Sequence, residues 1–350
     1  MFVRIFGISM LVTAAALVAA GFYGGASAIA SAAILGVLEV SLSFDNAVIN
    51  ATVLRRMSAF WQRMFLTVGI LVAVFGMRLV FPLAIVWASA GLDPVSAMRL
   101  ALEPPSDGAA YFPDGRPSYE TLLTDAHPQI AAFGGMFLLL LFLHFVFTRR
   151  EITWLTWIER PLSKLGGVTG LPLVIAAALL AVAGLVLADP DDTVGVLVAG
   201  ALGIVVFQLV NTLSSVFLAR GSTSAVVATG KAGFVLFCYL EVLDASFSFD
   251  GVVGAFAITA DPIIIALGLG CIGAMFVRSL TIYLVRKGTL ANYVYLEHGA
   301  HWAIGALAMV LLLTVSFDID SLITGLIGVT FIAAAFVSSI VRGPGTDTVP

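Results

Sequence analysis

Charge in this chain is confined almost entirely to the breaks between apolar runs about 20 residues long, the length that crosses a bilayer core. Such runs leave no amphipathic face from which to build a water-soluble core. Only 11% of the 350 residues are Asp, Glu, Lys or Arg and 60% are hydrophobic, whereas a soluble domain carries about a quarter charged residues. In lipid every backbone polar group has to be satisfied within the structure itself, which favours helices. The sequence is therefore that of an all-α, polytopic membrane protein with a single membrane domain over 1–350.

Ten runs are candidate spanning helices: 5–24, 28–54, 64–88, 129–147, 170–188, 194–219, 232–258, 262–285, 300–316 and 320–341. Nine remain if the first is a cleaved signal peptide, since Arg4, an apolar run and Ala26-Ser27-Ala28 fit that pattern. With the N-terminus inside, Arg55, Arg56, Arg149, Arg150, Arg220, Arg286 and Arg342 all fall on the cytoplasmic side, and only Arg99 and Arg116 outside. That asymmetry places both termini in the cytoplasm of a plasma membrane, in bacteria the inner one. Residues 89–128 form an outer loop with the turn chemistry of Pro104-Pro105 and Pro113-Asp114-Gly115, a small cap or a mobile loop. Residues 148–169 form an inner segment in which Trp154, Trp157, Glu159 and Arg160 suggest a helix lying along the interface.

Two apolar runs carry acids, and they match. Leu38-Glu39-Val40-Ser41-Leu42-Ser43-Phe44-Asp45-Asn46 and Leu243-Asp244-Ala245-Ser246-Phe247-Ser248-Phe249-Asp250-Gly251 align on Ser-Phe-Asp, placing Glu39 opposite Asp244. The second run adds Glu241, which has no twin. A carboxylate at bilayer depth costs at least a few kcal/mol and usually marks a transport path. Five helices separate the copies, so the repeat is inverted, with cores at 28–88 and 232–287. Arg78 and Arg278 stand in the next helix of each half; such arginines pair with carboxylates or reach for the interface.

Acids six residues apart rise about 9 Å and point about 120° apart on a straight helix. Either each acts separately or the helix is interrupted. Ser41, Ser43, Ser246 and Ser248 can bond back to the backbone, and Asn46 and Gly251 are poor helix residues. Local unwinding is therefore expected in both motif helices. The donors are carboxylate, amide, hydroxyl and carbonyl oxygens, a hard set suited to Mn²⁺, Mg²⁺ or Ca²⁺. The same acids, protonated, can serve proton coupling or simple helix–helix hydrogen bonding.

Lesser candidates follow. Gln208, Asn211, Ser214 and Ser215 on the sixth run are pathway groups or interhelical bonds. Glu297, His298 and His301 make an entry site, a proton relay or a helix-capping cluster. His144, Cys238 and Cys271 are expected to be packed, and Gly21-x-x-x-Gly25 is a weak helix-contact signal.

Leu38-Glu39-x-x-Leu42-Ser43-x-Asp45-Asn46-Ala47-Val48 resembles the first motif of the TerC family of integral membrane proteins, and Phe249-Asp250-Gly251-Val252-Val253 through Ala257-Ile258-Thr259-x-Asp261-Pro262 resembles the second. Arg278-Ser279-Leu280 and Tyr295 to His301 are similar to a TerC-like branch of unknown function. The resemblance implies a fold related to LysE-type exporters with inverted repeats, a link to tellurium resistance and, in some members, manganese efflux. It implies an ion site of Glu39, Asp45, Asn46, Asp244 and Asp250; the reading of the motifs themselves adds Glu241, Arg78, Arg278, Ser43 and Ser248 as supporting residues. Gly251 departs from Asn46 of the first copy, so the site is expected to be asymmetric.

The expected function is a secondary transporter exporting a divalent cation, Mn²⁺ foremost, with protons as a candidate coupling ion and no tightly bound cofactor. Neither a Walker-type motif nor the Gly-x-Gly-Asp of intramembrane aspartyl proteases is found, so no enzyme is expected. Partners are membrane lipid and the ion, with a homo-oligomer open and no nucleic acid. The alternative is a membrane anchor or assembly partner in a tellurite or metal stress-response complex, working through 148–169.

Overall fold

The structure is a computed structural model that describes residues 2–69, 71, 72, 76, 80, 83, 93–103, 105, 109–168, 170–219, 227–256, 258, 259, 261–286, 293–319 and 321–342. Among these the chain is all-helical, with only two isolated bridges, Met57 to Ala228 and Tyr111 to Pro117. The first two expected spans form α1 (Phe2–Leu42), bent at Gly24 and Gly25, and α2 (Phe44–Leu54). Then come α3 (Ala59–Met64), which runs into a π-helical turn at Phe65–Gly69, α4 (Pro94–Leu102) and α5 (Tyr119–Asp125). The rest of the third expected span lies largely outside the described residues. Next are α6 (His127–Phe147), α7 (Thr156–Leu165), α8 (Leu171–Val182) with a π-helical end at Ala183–Leu187, and α9 (Thr193–Ala219). The second motif lies on α10 (Gly230–Phe256). α11 (Pro262–Ile265) leads through a π-helical stretch, Ala266–Gly273, into α12 (Ala274–Arg286), followed by α13 (Leu296–Leu313) and α14 (Ser321–Arg342).

Helix α6 is apolar all round, the mark of a central helix, and 14 of its 21 residues are buried. It packs between α9 and α13, and α14 covers the far side of α13. Small residues bring the backbones together: a methyl added at Gly203 of α9 would lie 2.3 Å from the Phe133 carbonyl oxygen. A second layer forms where α1 lies along Ala266–Gly273; there an added methyl at Gly268 would meet the Ala32 carbonyl at 2.9 Å. Ser9 ties the first arm of α1 to α12, donating to or accepting from Ser279 Oγ at 2.7 Å, while Ser279 Oγ bonds the Ile5 carbonyl at 2.9 Å.

The breaks assigned by charge to one side do meet at one end. Ser58 N donates to the Ala228 carbonyl, Arg150 pairs with Glu297, and Arg342 reaches the Tyr295 hydroxyl. Within the described part of 89–128, Ala97 and Ala101 of α4 and Tyr119 and Leu123 of α5 join Ala20, Ala28 and Leu269 in one apolar cluster. Asp93 caps α4 by accepting from the amides of Val95 and Ser96, both at 3.0 Å.

Five described helices are long and apolar enough to cross a membrane: Ile5–Val40, His127–Phe147, Thr193–Thr212, Ile263–Val285 and Leu296–Leu313. Leu171–Leu187 and Leu326–Arg342 are shorter apolar helices. On α9, Val194, Val198, Leu202, Val205 and Leu209 recur at helical spacing and are each more than half exposed. A stripe of that kind belongs against hydrocarbon rather than water.

Two sequence expectations are corrected. Among the described residues Gly21 and Gly25 seat no second helix; Gly25 turns the corner of α1 with φ +70°. That backbone is costly for any residue with a Cβ, by about 1–2 kcal/mol. Gly25→Ala should therefore lower the thermal midpoint of the purified protein. The same change at Gly21, where the methyl would meet only the flexible tip of Ile29 at 3.0 Å, should lower it less. Cys238 and Cys271 are half-buried, not core, because each sits on the partly outward face of its helix.

Candidate functional site

The first motif brings α1 to its end. Glu39 is 1% exposed, and the helix breaks at Ser43 (φ −98°, ψ 14°) before resuming as α2. The interruption expected here is present, but its chemistry differs. Ser43 Oγ does not bond back to the backbone; it donates to Glu39 Oε1 at 2.6 Å. In the second motif α10 runs unbroken from Gly230 to Phe256, contrary to expectation. A single glycine inside a helix costs only about 1 kcal/mol, and a long apolar helix absorbs it.

The two motifs meet. Asn46 Nδ2 donates to Asp244 Oδ1 at 2.7 Å across 198 residues of sequence, with both residues buried. One turn before Asp244, Glu241 is buried and neither of its oxygens has a hydrogen-bond partner among the described residues. One turn beyond Asn46, the Asn50 Oδ1 is likewise without a partner. Both neighbouring π-helical stretches press a glycine onto an acid of the opposite half. A methyl at Gly69 would lie 2.6 Å from Glu241 Oε1, and one at Gly273 would lie 2.2 Å from Glu39 Cγ. π-Helical turns of this kind are frequent at functional sites. Arg278 of α12 donates from Nε to the Leu66 carbonyl at 2.9 Å, at the start of the first π turn.

Arg78 and the side chains of Ser41, Asp45, Ser214, Ser215, Ser246, Ser248 and Asp250 lie outside the described residues. Among the described ones, no three His, Cys, Asp or Glu gather closely enough to hold a metal ion. Thus Glu39 with Ser43, and Asn46 with Asp244, are brought together as pairs.

At the end where the basic breaks meet, walled in part by α2 and α10 themselves, lies a cavity of about 480 Å³. Arg56, Arg149, Arg150, His144, Asn211 and His301 are among its lining residues. The packed role expected of His144 is corrected: it is exposed to this cavity, edge-on to Phe207 at 5.9 Å. Asn211 serves the cavity wall. His301 stacks on Phe145 with ring centroids 3.7 Å apart and bonds the Glu297 carbonyl through Nδ1 at 2.8 Å.

Sequence reasoning missed Glu159. The interfacial helix α7 leaves Trp157 77% exposed, but Glu159 is 4% exposed. Its Oε1 accepts from Trp302 Nε1 at 2.9 Å and lies 3.2 Å from His298 Nδ1, while Oε2 accepts from the Trp154 amide at 3.0 Å. The available signal was the i, i+4 spacing of His298 and Trp302, which share one face of α13. Burial pushes the Glu159 pKa up, but the bonds from His298 and Trp302 outweigh it and hold the carboxyl at about 2, below the ordinary 4.5. A depressed acid stabilises the fold fully above its unfolded value and loses that contribution as pH falls through the folded one. The thermal midpoint should therefore fall between pH 4.5 and about 2, and Glu159→Gln should lack that component of the fall.

Residues 44–344 match the family described as Protein of unknown function (DUF475). The chain belongs to this family. The DUF475 match begins beyond Glu39 but takes in Asp45, Asn46, the whole second motif, the cavity and Glu159. Neither the curated proteins nor the solved structures gave a match.

Proposed function

We propose that this DUF475 protein is a secondary transporter that exports a divalent metal cation, with Mn²⁺ the first candidate, through a carboxylate site between its two motif helices. The observation that carries the reading is the Asn46–Asp244 bond, which joins two acidic motifs of like sequence within the apolar interior. Glu39, Asp45, Asn46, Asp244 and Asp250 would hold the cation through oxygen alone, the chemistry that suits Mn²⁺ best against its softer rivals. Glu241, buried without a bonding partner among the described residues, is a place for a proton or a cation, since an unpaired buried charge is costly. It is the natural group for proton coupling. The ten-span inverted arrangement, with both termini in the cytoplasm of a plasma membrane, follows from the loop charges and the motif twins. The resemblance to the TerC family adds support.

The test is the metal content of cells expressing the intact protein and the Asp45→Asn, Asp250→Asn double variant at matched membrane levels, challenged with Mn²⁺, Mg²⁺, Zn²⁺ and tellurite. The intact protein is expected to lower cell manganese and the double variant to leave it unchanged; equal behaviour of the two would sink the export reading. One observation favours a second reading, as an anchor or assembly partner in a stress-response complex. Trp157 stands 77% exposed on α7, a surface for a partner as well as for lipid. On that reading the two aspartate changes leave resistance intact and Trp157→Ser removes it.

A further inference from the structure

The cavity at the basic end has a chemistry opposite to that of the motif site. Among the described residues three guanidiniums line it, Arg56, Arg149 and Arg150, against one carboxylate, Glu297. They come from different parts of the chain, Arg56 from the end of α2 and Arg149 and Arg150 from the segment after α6, so the fold gathers them. Arg150 is held in place: its Cζ sits 3.9 Å from the centroid of Phe145, whose other stacking partner is His301. Its bond to Glu297 is long, 3.4 Å, and leaves most of the guanidinium's five donors uncommitted. Asn211 and Tyr239 add neutral donors to the same wall, and Leu141, Phe207 and Leu236 make the rest of it apolar. Low-dielectric walls focus the field of like charges on the space between them. Burial lowers the Arg150 pKa most, the like charge of Arg56 lowers it further, and Glu297 and Glu159 raise it, so Arg56 and Arg150 lie close enough to repel.

We infer that this cavity is a binding site for a phosphate-type oxyanion. Arginine's planar fork matches such oxygens two at a time. A volume of about 480 Å³ admits either free inorganic phosphate or the phosphate of a lipid head group reaching in from the membrane surface. The described motif acids Glu39, Glu241 and Asp244 do not line the cavity, and the inference does not rest on the export reading.

The experiment uses the full-length protein in nanodiscs of neutral phosphatidylcholine, titrated with inorganic phosphate at constant ionic strength. A second set of discs carries added phosphatidylglycerol, with lipid retention read by native mass spectrometry. Arg56→Gln and Arg149→Gln should each weaken the bound anion about tenfold. Glu297→Gln, which removes the only carboxylate among the described lining residues, should tighten it several-fold, an effect that a misfolded variant cannot imitate. Saturable phosphate binding with this pattern identifies a free anion. Saturable phosphatidylglycerol retention with the same pattern, and no phosphate binding, identifies a head group. Absence of both, or binding indifferent to all three substitutions, overturns the inference.

Discussion

Asp244→Asn should fold as the native protein does and yet export at least tenfold less manganese. The side chain keeps its shape, and its amide oxygen can still accept from Asn46 Nδ2, the bond that measures 2.7 Å in the native protein. Only the charge is lost. Uncharged acceptors make the bond weaker by about 1 kcal/mol, so the thermal midpoint should shift by a few degrees at most. Asp244→Ala also removes the acceptor of a buried charge-assisted bond, a loss of about 1–3 kcal/mol. Comparing the two by cell manganese and by thermal unfolding separates ligand from scaffold. If the asparagine variant exports as the native protein does, the carboxylate of Asp244 is no ligand.

Gly273→Ala should lower both stability and export through a single added methyl. It would stand 2.2 Å from Glu39 Cγ and 2.4 Å from Glu39 Cβ. Cβ is fixed to the backbone, so relief requires α1 to move away from the π-helical stretch along which it lies. Overpacking of this kind costs about 1–3 kcal/mol, and here the displaced residue is itself a motif acid. Both thermal stability and export are expected to fall. Gly69→Ala makes the informative contrast. Its methyl would meet Glu241 Oε1 at 2.6 Å and Phe65 Cδ2 at 2.9 Å; the first is the tip of a flexible side chain. Stability should drop less than for Gly273→Ala, while export drops because Glu241 is pushed aside. Equal stability losses in the two variants would argue against this account of the packing.

What the sequence made legible follows from how each feature is written in it. Helical segments are marked by charge at their breaks, and the long apolar helices follow the expected runs to within a few residues, except that α1 carries the first run into the second through the bend at Gly24 and Gly25. The meeting of the motifs was implied by their likeness, and Asn46 with Asp244 makes it concrete. The break at Ser43 was readable from serines and an asparagine in a row. The unbroken course of α10 through Gly251 was not, because one weak residue competes with the packing of a whole helix, and packing is invisible in a string. Glu159 lies between Trp157 and Arg160 and reads as a solvated charge; its burial depends on Trp302 and His298, more than a hundred residues away. The cavity is assembled from several helices, none of which carries a motif for it.

The Asn46–Asp244 bond also orders events during synthesis. Its two ends are 198 residues apart, and at about 5–20 residues per second the ribosome takes roughly 10–40 s to pass from one to the other. Through that interval the amide of Asn46 has no Asp244 to meet. Ser9 waits longer still for Ser279, 270 residues on. The half-made protein must therefore hold polar groups in the membrane, satisfied by water, by the translocation machinery or by temporary neighbours. The arrival of α10 and then α12 releases those stand-ins, so the polar contacts of the first half close only once the second half is being made.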